Sequence, residues 1–214
     1  MPTEADVLTL GQWLSPSFPV GAFAYSHGLE AAVADGHVRD AEGLRGWLCD
    51  VLELGTGRCD AILLGAAARA APAEWDGIDA AARAFAASRE RLVEADRQGR
   101  AFARTTSAVW GLDVPALTLP VAVGAAAGLR GLPVTLTAAM YLQAFTGNLV
   151  QAAQRLAPVG QTEGQSVLAA LTPLCQAIAA EAAEAPLEAL ASAAFLSDVA
   201  AMRHETMETR IFVS

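Results

Sequence analysis

Between residues 85 and 109, small and apolar side chains return every three or four positions: Phe85, Ser88, Leu92, Ala95, Gly99, Phe102, Thr106 and Val109. That spacing puts all eight on one face of an α-helix running for about six turns. A strand would need alternation at every second residue, and no convincing run of that kind or internal repeat is present. The 49 alanines among 214 residues favour helix over strand as well. With 54% hydrophobic and 17% charged residues, the chain is the reverse of a disordered one. Its length fits a single domain.

The remaining punctuation divides the chain into further helices. Ser15-Pro16-Ser17-Phe18-Pro19-Val20-Gly21 cannot be helix interior, because each proline removes a donor and pushes its predecessor into extended geometry; an ordered loop is expected. A short helix should follow to about Ala34, closed by Asp35-Gly36, and Asp40 looks like the N-cap of the next. Leu44, Trp47, Leu48 and Val51 fall at helical spacing up to Gly55-Thr56-Gly57, and another helix is expected to start near Asp60. Pro72 to Gly77 reads as a loop. Val114–Leu129 and Thr135–Leu156 read as two central helices rich in small residues. Val167, Leu168, Leu171, Leu174, Cys175 and Ile178 mark a helix kinked or restarted at Pro173, and a last one runs from about Pro186 to Arg203. The expectation is an all-α, single-domain bundle of roughly eight to ten helices over 1–214. It divides into an N-terminal segment and Pro-rich loop (1–24), a helical core (25–203) and a C-terminal tail (204–214).

Charge and motifs remove several function classes. A formal charge of −9 argues against nucleic acid, whose binders need clustered cations. The uncharged stretch between Arg130 and Arg155 is broken by Pro133, Gly147 and Asn148, so it reads as a buried helix and not a membrane span. Three cysteines without a CxxC pair and an acidic N-terminus without a basic, apolar leader suggest a reducing, cytoplasmic setting. With no lysine in the chain there is no phosphate-loop lysine, and GxGxxG, HExxH and GxSxG are absent. No catalytic residue is assigned.

Weaker signals each have a plain structural reading. His27 and Glu30 at i,i+3, with His37 nearby, could share a metal or serve structural roles. Cys49 and Cys59 read as small core residues. His204-Glu205 is a charged helix end that could bind a cation. Six of the 14 arginines lie between Arg83 and Arg104, mostly outside the apolar stripe. They form either a solvated face or a docking surface for an acidic partner, with a catalytic finger as the remaining alternative.

The segment Ser15-Pro16-Ser17-Phe18-Pro19-Val20-Gly21-Ala22-Phe23-Ala24-Tyr25-Ser26-His27-Gly28-Leu29-Glu30 closely resembles the N-terminal signature of the urease accessory protein F (UreF) family. Five further segments are similar to that family in the same order. They are Trp47-Leu48 with Gly55 to Asp60, Glu90 to Phe102, Leu119 to Gly124, Tyr141 to Gln161, and the tail His204 to Ser214. Ala24, Glu208 and Val213 depart from the family pattern.

The resemblance implies a non-catalytic, all-α adaptor that helps deliver nickel to apo-urease. It implies a homodimer that binds the accessory protein D (called H in some organisms), recruits the GTPase accessory protein G and then meets apo-urease, with nickel and GTP handled by the partners and no cofactor of its own. A GTPase-activating or gating regulator is the alternative. Candidate partner-binding residues on the loop are Ser15, Pro16, Phe18, Pro19, Gly21, Phe23, Tyr25, Ser26, Gly28 and Glu30. To these are added Arg155, Gln161 and, in the tail, His204, Glu205, Arg210, Phe212 and Ser214. Phe18 and Phe23 are either interface anchors or caps on the core. The tail is expected to gain order by docking on the D-type partner, the alternative being docking on its own chain. Arg155, on an otherwise apolar helix, should pair with a carboxylate or carbonyl, at a dimer interface or within the chain.

Overall fold

A computed structural model describes all residues from Met1 to Ser214. Ten α-helices are present: α1 (Glu4–Trp13), α2 (Leu29–Ala34), α3 (Ala41–Glu53), α4 (Thr56–Arg69), α5 (Trp75–Ala84), α6 (Arg89–Trp110), α7 (Leu119–Arg130), α8 (Val134–Leu156), α9 (Gln161–Ala182) and α10 (Phe195–His204). There is no strand. Short polar side chains start several of them. Thr3 and Asp6 exchange side-chain and backbone hydrogen bonds at the head of α1. Asp40 accepts the Gly43 N–H at 2.8 Å, and Ser88 accepts the Arg91 N–H at 3.2 Å.

The centre of the bundle is α7, whose residues from Pro120 to Ala127 are all buried. It lies against α4 and α6, while α8 packs on α9 and α4. The backbones approach so closely that a Cβ placed on Gly124 would sit 2.2 Å from the Leu64 carbonyl oxygen. No helix is long and apolar enough to cross a membrane.

Six points differ from the sequence reading. The chain enters α5 at Trp75, inside the expected loop, because the buried Trp75 indole donates to the Ala67 carbonyl at 3.0 Å and ties the segment to α4. The stripe begun at Phe85 is interrupted: Ser88 is a cap, Phe85 and Val109 are exposed, and the buried side of α6 is Glu94, Gln98, Gly99, Phe102, Ala103 and Thr106. The helix after Gly55 starts at Thr56, and α7 starts only at Leu119, with Pro120 in its first turn. In α9 the helix continues through Pro173, whose exposed position lets water replace the missing donor. The expected helix from Pro186 begins only at Phe195. The preceding alanines are held extended by Ala193 donating to Leu54 at 2.8 Å and by the Cys59 thiol donating to the Ala191 carbonyl at 3.2 Å.

Candidate partner-binding site

The Pro-rich segment is the ordered loop that its two prolines require. Phe18 donates its N–H to the Ser15 carbonyl at 2.9 Å, and the Ser15 and Ser17 hydroxyls lie 2.8 Å apart. Phe18 is buried, with its ring 5.5 Å from that of Phe102 and 6.3 Å from that of Trp110, so it caps the core. Phe23 takes the other role: it is 72% exposed, on a short turn entered through Gly21 at φ 74°. Gly28, at φ 76°, lets the start of α2 press on α10, where a Cβ would meet the Ala201 backbone at 2.7 Å.

The tail docks on its own chain. Its last residues run alongside this loop: Val213 donates to the Ala24 carbonyl at 2.9 Å and the Ser26 N–H donates to the Ser214 main-chain oxygen at 2.8 Å. Extended geometry alternates the side chains, so Phe212 and Ser214 are buried while Ile211 and Val213 face outward. Arg155 clamps the joint. It donates to the Phe23 carbonyl at 3.2 Å, and its guanidinium stacks 4.2 Å from the centre of the Phe212 ring. The expectation that a partner must order this tail is therefore corrected: Glu30 and the Ala24–Ser26 backbone already supply what its N–H and carbonyl groups need.

Beneath the tail lies a polar cluster. Glu30 accepts the N–H groups of Ile211 and Phe212 at 2.7 and 2.9 Å. The fully buried His204 ring faces Glu30 through Nε2 at 3.2 Å and Glu90 through Nδ1 at 2.6 Å. Arg210 pairs with Glu90, and Glu205 accepts the Glu90 N–H at 3.2 Å. Glu94, which is not among the eight residues of the apolar stripe, is buried here. It pairs with Arg91 and accepts the Ser214 hydroxyl at 2.5 Å.

The loop candidates from Phe23 to Glu30 thus lie beside the tail and Arg155, whereas Phe18 belongs to the core around Phe102 and Trp110. Gln161 does not join them: it opens α9 on an exposed side and makes no hydrogen bond to the cluster. Tyr25 and Ser26 are buried, so they support the surface and do not form it. His27 also departs from its pairing with Glu30. Its Nε2 lies 3.0 Å from the Thr56 hydroxyl, and burial holds the ring well below the usual histidine range, hence neutral. His37 instead stacks beside Trp47. No group of three or more His, Cys, Asp or Glu side chains is gathered so as to hold a metal ion. Among the clustered arginines, Arg83, Arg91 and Arg100 are tied up in ion pairs, whereas Arg89, Arg97 and Arg104 are exposed and make none.

Two features were not visible from the sequence. Tyr141 on α8 donates to Asp60 on α4 at 2.6 Å. Burial pushes the Asp60 carboxyl up to about 6, against the lowering effect of that bond, and pushes the Tyr141 phenol well above its usual value. Asp60 also borders a small cleft of about 50 Å³ shared with Thr56, Cys59, Arg91 and Asp198. A larger apolar cleft of about 480 Å³ opens between α1 and α8, walled by Trp13, Pro16, Phe102, Met140 and Phe145.

Known proteins were compared with the chain. The UreF family profile matches residues 38–172. The urease accessory protein UreF of Cereibacter sphaeroides is 58% identical over 209 residues, covering 98% of this chain and 99% of that protein. The protein of the same name from Ruegeria pomeroyi is 54% identical over 212 residues (99% and 98%), and that from Roseobacter denitrificans 52% over 212 residues (99% and 95%). The relatives cover nearly the whole chain, and the chain belongs to the UreF family of urease accessory proteins.

Proposed function

We propose that this chain works as a non-catalytic adaptor in urease maturation. It joins a D- or H-type accessory protein to the GTPase accessory protein G, as a cytoplasmic homodimer, so that the assembly can load nickel into apo-urease. The observation that carries this reading is the row formed by Phe23, Ile211 and Val213. Three apolar side chains stand exposed on backbone that is already hydrogen-bonded in place, so a partner gains their burial without having to order them. The relatives' name, urease accessory protein, supports reading that surface as one that meets the urease machinery.

Co-expression with the D-type and G-type proteins, followed by size exclusion with light scattering, tests it. Wild-type chain should co-elute with both, and Phe23→Asp and Ile211→Asp should lose the D-type protein while keeping their own thermal midpoint. Deleting residues 204–214 is the harsher variant, since it takes His204 and the Ile211 and Phe212 N–H groups from Glu30 and the Ser214 hydroxyl from Glu94. Failure of wild-type chain to bind either protein would end the adaptor reading. The regulator reading rests on the unpaired Arg89, Arg97 and Arg104. It predicts that replacing one of them slows GTP hydrolysis by the G-type protein at unchanged binding.

A further inference from the structure

We infer, resting on the homodimer reading above, that two copies of this chain pair through one uncharged face made by α8, α9 and the end of α1, with the apolar cleft between α1 and α8 at its centre.

From Gly131 to Gln154 the chain has no Asp, Glu, His, Lys or Arg, and from Gly164 to Ala180 it again has none. These stretches make up most of α8 and α9, which pack side by side, with the Thr172 hydroxyl donating to the Gln143 side-chain oxygen at 3.3 Å. Their outward positions are small or neutral: Ala144 and Gly147 are half-buried on α8, and Ala169, Pro173, Gln176 and Ala177 are exposed on α9. The cleft of about 480 Å³ opens in the same surface, between Trp13 of α1, Met140, Ala144 and Phe145 of α8, and Leu168 of α9. Leu8 stands on α1 one turn before Gly11 at the cleft's rim and is 75% exposed. A twofold pair lays a patch on its own copy, so a hole with an apolar knob beside it can close on itself.

Charge and area favour a second copy as the occupant. Each chain carries a formal charge of −9, so two copies repel unless the surfaces that meet are free of acid. The other exposed apolar row, Phe195, Leu196, Val199 and Met202 on α10, does not meet that condition. The exposed Asp50 adjoins Phe195 and Leu196, and a twofold pair there would bring two such carboxylates into one interface. Along α8 and α9 the uncharged face is about 25 Å long and about 20 Å wide, on the order of 500 Å² per copy, so two copies bury the roughly 1,000 Å² that a specific interface needs.

Sedimentation equilibrium of the full-length chain over a dilution series tests the face. Wild-type chain should be a dimer whose dissociation constant falls as salt rises from about 0.05 to about 0.5 M, because screening removes repulsion between the copies and no interfacial ion pair is lost. At Gly147 an added Cβ meets only the Leu168 Cδ2 at 3.8 Å, and Ala169 is exposed, so both positions accept a longer side chain. Gly147→Arg and Ala169→Glu should each put an unpaired charge of both copies into the shared face and weaken the dimer at least about a hundredfold, with unchanged circular dichroism. Leu196→Asp on α10 should leave the dimer intact. The exposed Ala169 decides the matter should Gly147→Arg not fold. A monomeric wild-type chain would remove the homodimer itself and this face with it. A dimer that survives either folded variant, that loosens with salt, or that is lost with Leu196→Asp would keep the homodimer and overturn the face. Loss of the D-type or G-type protein by these variants while the dimer persists would give the face to that partner and overturn it as well.

Discussion

Gly124→Ala sets backbone proximity against helix propensity, and the two effects have opposite signs. Within α7 the substitution alone should stabilise by about 1 kcal/mol, because alanine loses less backbone entropy than glycine. The new Cβ, however, would lie 2.2 Å from the Leu64 carbonyl oxygen and 3.0 Å from the Ala67 Cβ, where ordinary contact begins at 3.4 Å. The first obstacle is backbone inside α4 and cannot swing aside, so α4 and α7 must part by about 1 Å along a face where Val121, Ala122 and Ala125 are fully buried. Overpacking of that kind costs about 3 kcal/mol, at the upper end of the usual range because a whole helix pair must move. The net loss is about 2 kcal/mol, or about 4–8 °C in midpoint for a chain of this length. Gly46→Ala is the control: it is an exposed α3 position with nothing within 4 Å of the added Cβ, and it should gain about 0.5–1 kcal/mol. Urea unfolding followed by circular dichroism, with calorimetry alongside, reads both. If the two variants shift in the same direction by similar amounts, the close approach of α4 and α7 does not govern stability and the argument is wrong.

Other consequences follow from the same contacts. Asp60 binds its proton more tightly in the folded chain, at about 6 against an ordinary 3.8, so its contribution to stability is fully present below about pH 4 and is lost as pH rises through 6. About two pH units at 1.36 kcal/mol each, discounted for the opening toward the small cleft, give a penalty on the order of 2 kcal/mol at neutral pH. Asp60→Asn should therefore stabilise above pH 7 and not at pH 4; a urea midpoint difference independent of pH would contradict this. Phe18→Ala should cost about 3–5 kcal/mol, while Phe23→Ala should stay within about 0.5 kcal/mol, as measured by thermal melts of the two variants. Arg155→Lys keeps the charge but loses the planar stack on Phe212, so exchange protection of the tail amides should fall about as far as in Arg155→Ala.

What the sequence disclosed and what it hid divide along chain distance. The Ser15–Gly21 loop was legible because proline restricts its own backbone and its predecessor's, and Asp40 was legible because a cap acts on a residue three positions away. The meeting of Phe23, Arg155 and the tail was not legible: family resemblance marked these residues as partner-binding candidates but did not bring them together. Ile211 and Phe212 bond a carboxylate 181 and 182 positions earlier, and no local period encodes such a contact. Glu94 is not part of the apolar spacing, and a charge at such a point ordinarily faces water. Its burial depends on Ser214, which arrives from the far end of the chain. The alanine-rich stretch before Phe195 failed for a related reason: propensity favours helix there, but Leu54 and Cys59 claim its backbone groups.

The arrangement separates two duties within a few residues of tail. The side chains of even-numbered Phe212 and Ser214 face inward, while those of odd-numbered Ile211 and Val213 face outward and leave the holding of the tail to their backbone N–H groups. Substitutions on the outer side should change partner binding and leave the fold alone, and substitutions at Glu30, His204 or Glu90 should change the order of the tail first and partner binding as a result. Arg155 touches both duties, because one guanidinium grips the Phe23 carbonyl of the loop and the Phe212 ring of the tail. A double-mutant cycle between Arg155→Lys and Ile211→Asp therefore distinguishes the two routes. If the arginine acts on binding only by ordering the tail, its effect on complex affinity should vanish in a chain whose outer side chain is already lost. Full additivity would mean that Arg155 contacts the partner itself.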